Sequence, residues 1–220
     1  MTSPPPTGLL APRCSRRLRF MAAAALAVYV PSYAAAYGLA NFLVLCNLTV
    51  LLVGAGLWTC NRLLLSSQAV AILLVGSVWT LDLLTRLVVG RHLLGGGTAY
   101  MWDPQWPLFT RLLSLYHVVL PPLLVLVLRR IGYDRRGYRL QAAIAVVAVS
   151  IGRLFGPEVN LNQAYVELVF GRTWGGPFTH VAAVIAFLTL LVYPLSHLFL
   201  ARLCVARGGG AEAGGRSRVA

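Results

Sequence analysis

Pro107-Leu108-Phe109-Thr110-Arg111-Leu112-Leu113-Ser114-Leu115-Tyr116-His117-Val118-Val119-Leu120-Pro121-Pro122-Leu123-Leu124-Val125-Leu126-Val127-Leu128 decides what kind of protein this is. The stretch has the length of a bilayer-crossing helix, about 20 mostly apolar residues. It carries one formal charge, Arg111. Comparable runs occupy 20–38, 39–60, 66–84, 140–155 and 178–203. Each is expected to be helical, because backbone N–H and C=O groups cannot stay unpaired in lipid. The expected fold is therefore all-α, a polytopic membrane bundle of six transmembrane helices over 20–203. It is flanked by a basic, Pro-rich tail at 1–19 and a Gly-rich, disordered tail at 204–220.

The whole chain agrees with this local reading. Of its 220 residues, 58% are apolar and only 11% charged, with a mean hydropathy of +0.74. Soluble domains carry about 25% charged residues, so a soluble particle of this size is excluded. The formal net charge of +13 taken alone suggests an anionic partner such as nucleic acid. The placement of the basic residues gives another explanation. All 19 are Arg, and 14 fall at one side of the six-span arrangement: Arg13, Arg16, Arg17, Arg19, Arg62, Arg129, Arg130, Arg135, Arg136, Arg139, Arg202, Arg207, Arg216 and Arg218. Arg86, Arg91, Arg111, Arg153 and Arg172 remain on the other. The positive-inside rule then puts both termini in the cytoplasm of a bacterial inner membrane. The expected partners are membrane lipids, with the 129–139 loop suited to anionic headgroups; nucleic acid is not expected. The first run has a rival reading as a signal peptide cleaved near Ala36, since arginines precede it and small residues follow Ser32.

Polar residues inside spans are the ones that must be satisfied or functional. Asn47 and Thr49 lie beside Cys46 in the second run, and Asp82 and Arg86 share a helical face at the outer end of the third. Arg111, Ser114 and His117 trace one stripe in the fourth, and Glu158, Asn160 and Asn162 close the fifth. His180 and His197 are read as interfacial. At about 1.5 Å per residue His117 is roughly 15 Å deep and Asn47 roughly 12 Å. The expected site is an outward-facing polar pocket around His117, lined by Asp82, Arg86, His92, Asp103, Arg111, Ser114, Glu158 and Asn160. The bland alternatives are an Asp82–Arg86 ion pair, interhelical hydrogen bonds from Asn47 and Thr49, and a packing histidine at 117.

The 90–107 segment, with its glycines, Trp102 and Trp106, reads as a cap or re-entrant loop. It lacks the Lys-Ser/Thr of a phosphate loop. Cys14, Cys46, Cys60 and Cys204 show no metal-type spacing. Neither a metal nor a cofactor is expected, and Cys14, Cys60 and Cys204 read as small buried apolar residues.

Several motifs together resemble a family of bacterial polytopic proteins described only as membrane-associated. They are Asn41-Phe42-Leu43-Val44-Leu45-Cys46-Asn47, Gly90-x-His92-Leu93-x-Gly95, Thr98-Ala99-Tyr100-Met101-Trp102-Asp103, Arg111-x-Leu113-Ser114-Leu115-Tyr116-His117-x-x-Leu120-Pro121 and Gly132-Tyr133-Asp134-Arg135-Arg136. More distantly, Leu45-Cys46-Asn47 and His117-x-x-Leu120-Pro121 resemble the YwaF-like proteins, the androgen-induced lipid hydrolases and a related transmembrane acyltransferase. That resemblance implies acyl-ester chemistry on lipids. His117 would act as general base, Cys46 or Thr49 as nucleophile and Asn47 as oxyanion donor, with Asp82 orienting the imidazole. Val44 stands where the hydrolases carry Thr. The alternative is a non-enzymatic binding, sensing or transport component using the same pocket.

Overall fold

In the computed structural model, residues 14–93 and 95–204 are described. The expected disordered tails at 3–6 and 208–215 lie outside them. Among the described residues eight α-helices make up the bundle: α1 Arg16–Tyr37, α2 Leu45–Thr59, α3 Arg62–Val89, α4 Leu108–Leu113, α5 Tyr116–Ile131, α6 Gly137–Gly152, α7 Pro177–Phe187 and α8 Tyr193–Leu203. The pairs α4–α5 and α7–α8 each continue as one rod, so Arg16–Tyr37, Arg62–Val89, Leu108–Ile131 and Pro177–Leu203 are long and apolar enough to cross a membrane. The chain is an all-α membrane protein by that measure. The helices α2 and α6 are apolar but shorter.

Sequence explains where the rods bend. Pro121 and Pro122 have no N–H, and a proline ring crowds the carbonyl four residues back. Ahead of them the ladder tightens: His117 N–H donates to the Ser114 carbonyl at 3.1 Å and Val118 N–H to Leu115 at 2.9 Å. The freed His117 carbonyl lies against Gly76 of α3, where a Cβ would come within 2.9 Å of it. Gly76 thus lets α3 and α5 approach closely at the height of His117. In the last rod the wide turn Leu188–Val192 leaves the Thr189 carbonyl to accept from the Tyr138 hydroxyl at 2.8 Å.

The 39–60 run is not one helix, which corrects the expected second span. Residues Leu39–Leu43 form a short 3-10 turn and α2 starts at Leu45. The cause is Asn162, from the loop after α6. Its Nδ2 donates to the Leu43 carbonyl at 2.9 Å and its Oδ1 accepts from Leu45 N–H at 2.8 Å. A side chain replaces the helical ladder at that point, and α2 is left about 22 Å long.

The central helix is α3, which packs on α2, α5, α6 and α8. Its interior contacts include Leu65, Val70, Ile72, Leu124, Leu128, Ala145 and Leu200, all buried. One end of the bundle carries the 90–107 and 153–176 loops and is called here the loop end. The other, the arginine end, gathers the start of α1, the α2–α3 turn, the α5–α6 turn and the end of α8.

The cysteines at the arginine end overturn their reading as separate apolar residues. Cys14, just before α1, and Cys60, just after α2, are joined in a disulfide with Cα atoms 5.5 Å apart. An α-hairpin returns its two ends to one place, which spacing along a single helix cannot reveal. Cys46 and Cys204 are free thiols.

Candidate functional site

The centre of the loop-end half is a polar and aromatic cluster drawn from α1, α2, α3 and α5. Asn47 is its hub. Its Oδ1 accepts from the hydroxyls of Tyr29, at 3.0 Å, and Tyr116, at 2.8 Å, while Nδ2 donates to the Asn41 carbonyl at 2.9 Å. Ser114 Oγ lies 2.5 Å from the Tyr33 hydroxyl. Tyr29, Tyr33 and Tyr37 recur every four residues and so share one face of α1. Their rings contact in series, Tyr29 to Tyr33 at 4.2 Å and Tyr33 to Tyr37 at 5.1 Å between centroids. This ladder faces the stripe formed by Arg111, Ser114 and His117.

His117 is held by ring stacking and one hydrogen bond. Its ring is stacked between Trp79, at 4.5 Å and 13°, and Tyr116, at 4.1 Å and 25°. Nδ1 lies 2.9 Å from the Ser114 carbonyl. A carbonyl only accepts, so Nδ1 carries the proton and Nε2 holds a lone pair. Among the described residues Nε2 has no hydrogen-bond partner, and it is not one of their sealed unpartnered atoms. From the 90–107 loop, Tyr100 reaches Ser114 and Trp79, and burial raises its phenol above the usual range, so it stays protonated.

Thr49 is buried, but its hydroxyl donates to the Leu45 carbonyl of its own helix at 2.9 Å. Cys46 shares the neighbourhood of Tyr29, Tyr33 and Tyr116. Among the described residues no hydrogen bond joins His117 to Cys46 or Thr49.

Asp82 belongs to a different assembly. Its carboxylate accepts from Leu93 N–H at 2.6 Å and from the Thr98 hydroxyl, and lies 3.1 Å from His92 Nδ1. The expectation that Asp82 orients His117 is therefore corrected: it orients His92. The expected Asp82–Arg86 ion pair is also replaced. Arg86 donates to the Gly90 carbonyl and lies over the Trp102 ring at 5.6 Å. The backbone amide and hydroxyl brought by the loop outcompete a flexible surface arginine for a carboxylate only 2% exposed. This knot fastens the 90–107 segment to α3, one turn beyond Trp79.

The other expected lining residues disperse. Arg111 Nη1 donates to the Met101 carbonyl at 2.7 Å. Asp103 accepts from Gln105 N–H at 3.0 Å in a local turn. Asn160, at φ 42°, accepts from the amides of Tyr165 and Val166 and so shapes the 153–176 loop, beside exposed Glu158. His180 is fully buried, near the loop-end start of its rod. It accepts from Trp174 N–H at 3.1 Å and its Nε2 lies 2.9 Å from the Gln163 carbonyl. His197 pairs with the Tyr133 hydroxyl at 2.7 Å.

The polar residues are not confined to the loop-end half, as the sequence suggested. Toward the arginine end, Gln68 donates to Ser67 at 2.9 Å and, weakly, to Gln141 at 3.4 Å, and Gln141 donates to the Tyr193 hydroxyl at 3.3 Å. All four residues are buried. Beneath them Asp134 accepts from Arg136 at 2.9 Å, with Arg62 at 3.9 Å, and its N–H donates to Ser66 Oγ. The Arg136 hydrogen bond holds the Asp134 carboxyl below the usual range.

The tyrosine ladder is what the sequence reading missed. The available signal was the four-residue spacing of Tyr29, Tyr33 and Tyr37 on an otherwise Ala-rich helix. No family model, no curated protein and no solved structure matches this chain.

Proposed function

We propose that the chain is a six-span protein of the bacterial inner membrane, with both termini in the cytoplasm, that binds an amphiphilic ligand in the loop end around His117. In this reading α2 and α6 are short crossings between the four long rods. The concentration of arginines at one end favours that orientation, while the Cys14–Cys60 disulfide at the same end opposes it, because cytoplasmic thiols are normally kept reduced.

The observation that carries the binding reading is the unspent Nε2 of His117. The imidazole is fixed on both faces and at Nδ1, so its remaining lone pair has a set direction. That atom suits the O–H of a ligand headgroup or a water that bridges to one. The rings of Trp79, Tyr116 and the α1 ladder suit its apolar part. The acyl-transfer chemistry implied by resemblance would need a thiol or hydroxyl donating to Nε2. Thr49 spends its proton on Leu45, which favours binding over catalysis.

The test is photo-crosslinking of the purified protein with a diazirine-bearing monoacylglycerol, followed by peptide mapping. Labelling should concentrate on α1 and on 108–124 and fall several-fold in His117→Gln. Labelling spread over the bundle and indifferent to that substitution contradicts the reading. A thiol-directed activity probe supplies the opposing arm. Modification of Cys46 that disappears in His117→Ala would establish acyl transfer instead.

A further inference from the structure

At the loop end, two enclosed donors have nothing to give to. Among the described residues Arg111 Nε and the Tyr37 hydroxyl are both sealed and without a hydrogen-bond partner. They lie close enough for the guanidinium charge to act on the phenol. Their placement follows from the junction below them, where Tyr33 and Ser114 meet at 2.5 Å. Tyr37 is four residues further along α1, about 6 Å, and Arg111 three residues back along α4, about 4.5 Å, at 1.5 Å per residue. The two helices run in opposite directions, so both steps lead toward the loop end. The Trp106 ring packs on Tyr37 with centroids 4.7 Å apart.

Among the described residues Arg111 makes no ion pair within 4.0 Å, Asp103 included. Among the described residues the ion pairs are Arg62–Asp134, His92–Asp82 and Arg136–Asp134. Asp82 is committed to the loop knot, and Glu167 to the amides of Val169, Phe170 and Arg172. A charged guanidinium in a membrane span is costly unless something anionic meets it. Arg19 also has a sealed Nε without a partner. Among the described residues no second unpartnered donor lies beside it, which is what sets Arg111 apart.

We propose that Arg111 and Tyr37 form a binding site for a phosphate oxyanion, the headgroup phosphate of a membrane lipid, at the mouth of the His117 cluster. The proposal deepens the amphiphile reading and rests on it for the placement of the acyl chain. A guanidinium N–H and a neighbouring phenolic O–H are donors of the kind that suits phosphate oxygens. Trp102 and Trp106 belong at interfacial depth, where headgroups lie. Both donors are enclosed, so entry requires the side chains covering them to move. The phosphate then supplies the acceptor that both donors lack and the negative charge that Arg111 lacks.

The experiment follows the thermal unfolding midpoint of the protein in a neutral maltoside detergent. The titrants are dihexanoyl phosphatidylglycerol, inorganic phosphate and dihexanoylglycerol. Phosphatidylglycerol should raise the midpoint saturably, with affinity reduced about tenfold in Arg111→Gln and about threefold in Tyr37→Phe, as expected for loss of a charged and a neutral hydrogen bond. Ligand-free Tyr37→Phe should unfold like the wild type, because its hydroxyl has no partner to lose. That keeps the test intact if Arg111→Gln folds poorly.

An Arg111-dependent response to inorganic phosphate as well would assign the site to phosphate from either source, whereas a response to the lipid alone assigns it to the headgroup. A response to phosphatidylglycerol that ignores both substitutions, or one matched by phosphate-free dihexanoylglycerol, overturns the proposal. Unchanged affinity in Arg111→Gln with His117-dependent crosslinking sinks this site alone. The reverse pattern sinks the His117 reading alone.

Discussion

At the arginine end, Gln68, Ser67, Gln141 and Tyr193 hand hydrogen bonds from one to the next, and Asp134 is matched by Arg136 and Arg62. At the loop end, Asn47 ties together Tyr29, Tyr116 and Asn41, yet His117 Nε2, Arg111 Nε and the Tyr37 hydroxyl are left over. Both regions bury polar side chains inside an apolar bundle, and both must answer the cost of doing so. One answers it mainly with a chain of mutual bonds, although the Ser196 hydroxyl and Arg19 Nε are sealed there without a partner among the described residues. The other leaves two neighbouring donors, Arg111 Nε and the Tyr37 hydroxyl, together with a fixed lone pair on His117, without partners among the described residues. Where hydrogen-bond capacity is spent internally, the polar residues specify packing. Where it is left unspent around a rigid aromatic frame, they are available to a ligand.

The largest effect that would sharpen this contrast is at the loop-end hub. Asn47→Leu strands two tyrosine hydroxyls and a carbonyl, and should cost about 4 kcal/mol at roughly 1–3 kcal/mol per stranded group. Unfolding in mixed micelles reads that value, and a loss under about 1 kcal/mol would mean that Asn47 is no hub.

A smaller effect is expected in the chain at the other end. Gln141→Leu should cost about 1–2 kcal/mol by unpairing Gln68 and Tyr193. The double variant Gln68→Leu with Gln141→Leu should be no worse than the single one, because partners removed together leave less unsatisfied. A single variant as damaging as Asn47→Leu would erase the distinction between the two ends.

The smallest effect is a pH dependence confined to the arginine end. The folded-state carboxyl of Asp134 titrates below its unfolded value because Arg136 hydrogen-bonds it. Its stabilising contribution is therefore complete above the ordinary carboxylate range and is lost as pH falls through the lowered folded value. The difference in unfolding midpoint between wild type and Asp134→Asn should shrink on acidification from pH 7 toward pH 3. A constant difference would show that the carboxylate is not stabilised by this pairing.

Much of this architecture was legible in composition and run length, since bilayer thickness sets the length of an apolar helix. The rods around Trp79 and His117 stand within a few residues of the expected spans. The second span was misread because Asn162, more than a hundred residues away in sequence, breaks it between Leu43 and Leu45. The same kind of distance hid the Cys14–Cys60 bond and gave Asp82 to His92 instead of His117. Spacing along a single helix placed Arg111, Ser114 and His117 in one expected stripe. It could not say what faced that stripe, because rotation of α1 is set by tertiary packing; the regular spacing of its tyrosines was the one local clue. Gln68 and Gln141 passed unnoticed for a related reason. Each looks isolated in its own span, and only the packing of α3 against α6 and α8 makes them a chain.

The most direct measurement is 15N NMR of the His117 imidazole in protein labelled at histidine, assigned by its loss in His117→Gln. The account predicts a neutral ring protonated at Nδ1, with an Nε2 resonance typical of a bare lone pair that shifts when a monoacylglycerol or short-chain phospholipid is added to saturation. A ring protonated at Nε2, or an Nε2 resonance unmoved by every such amphiphile, would contradict the claim that this atom is the acceptor the fold holds in reserve for a ligand.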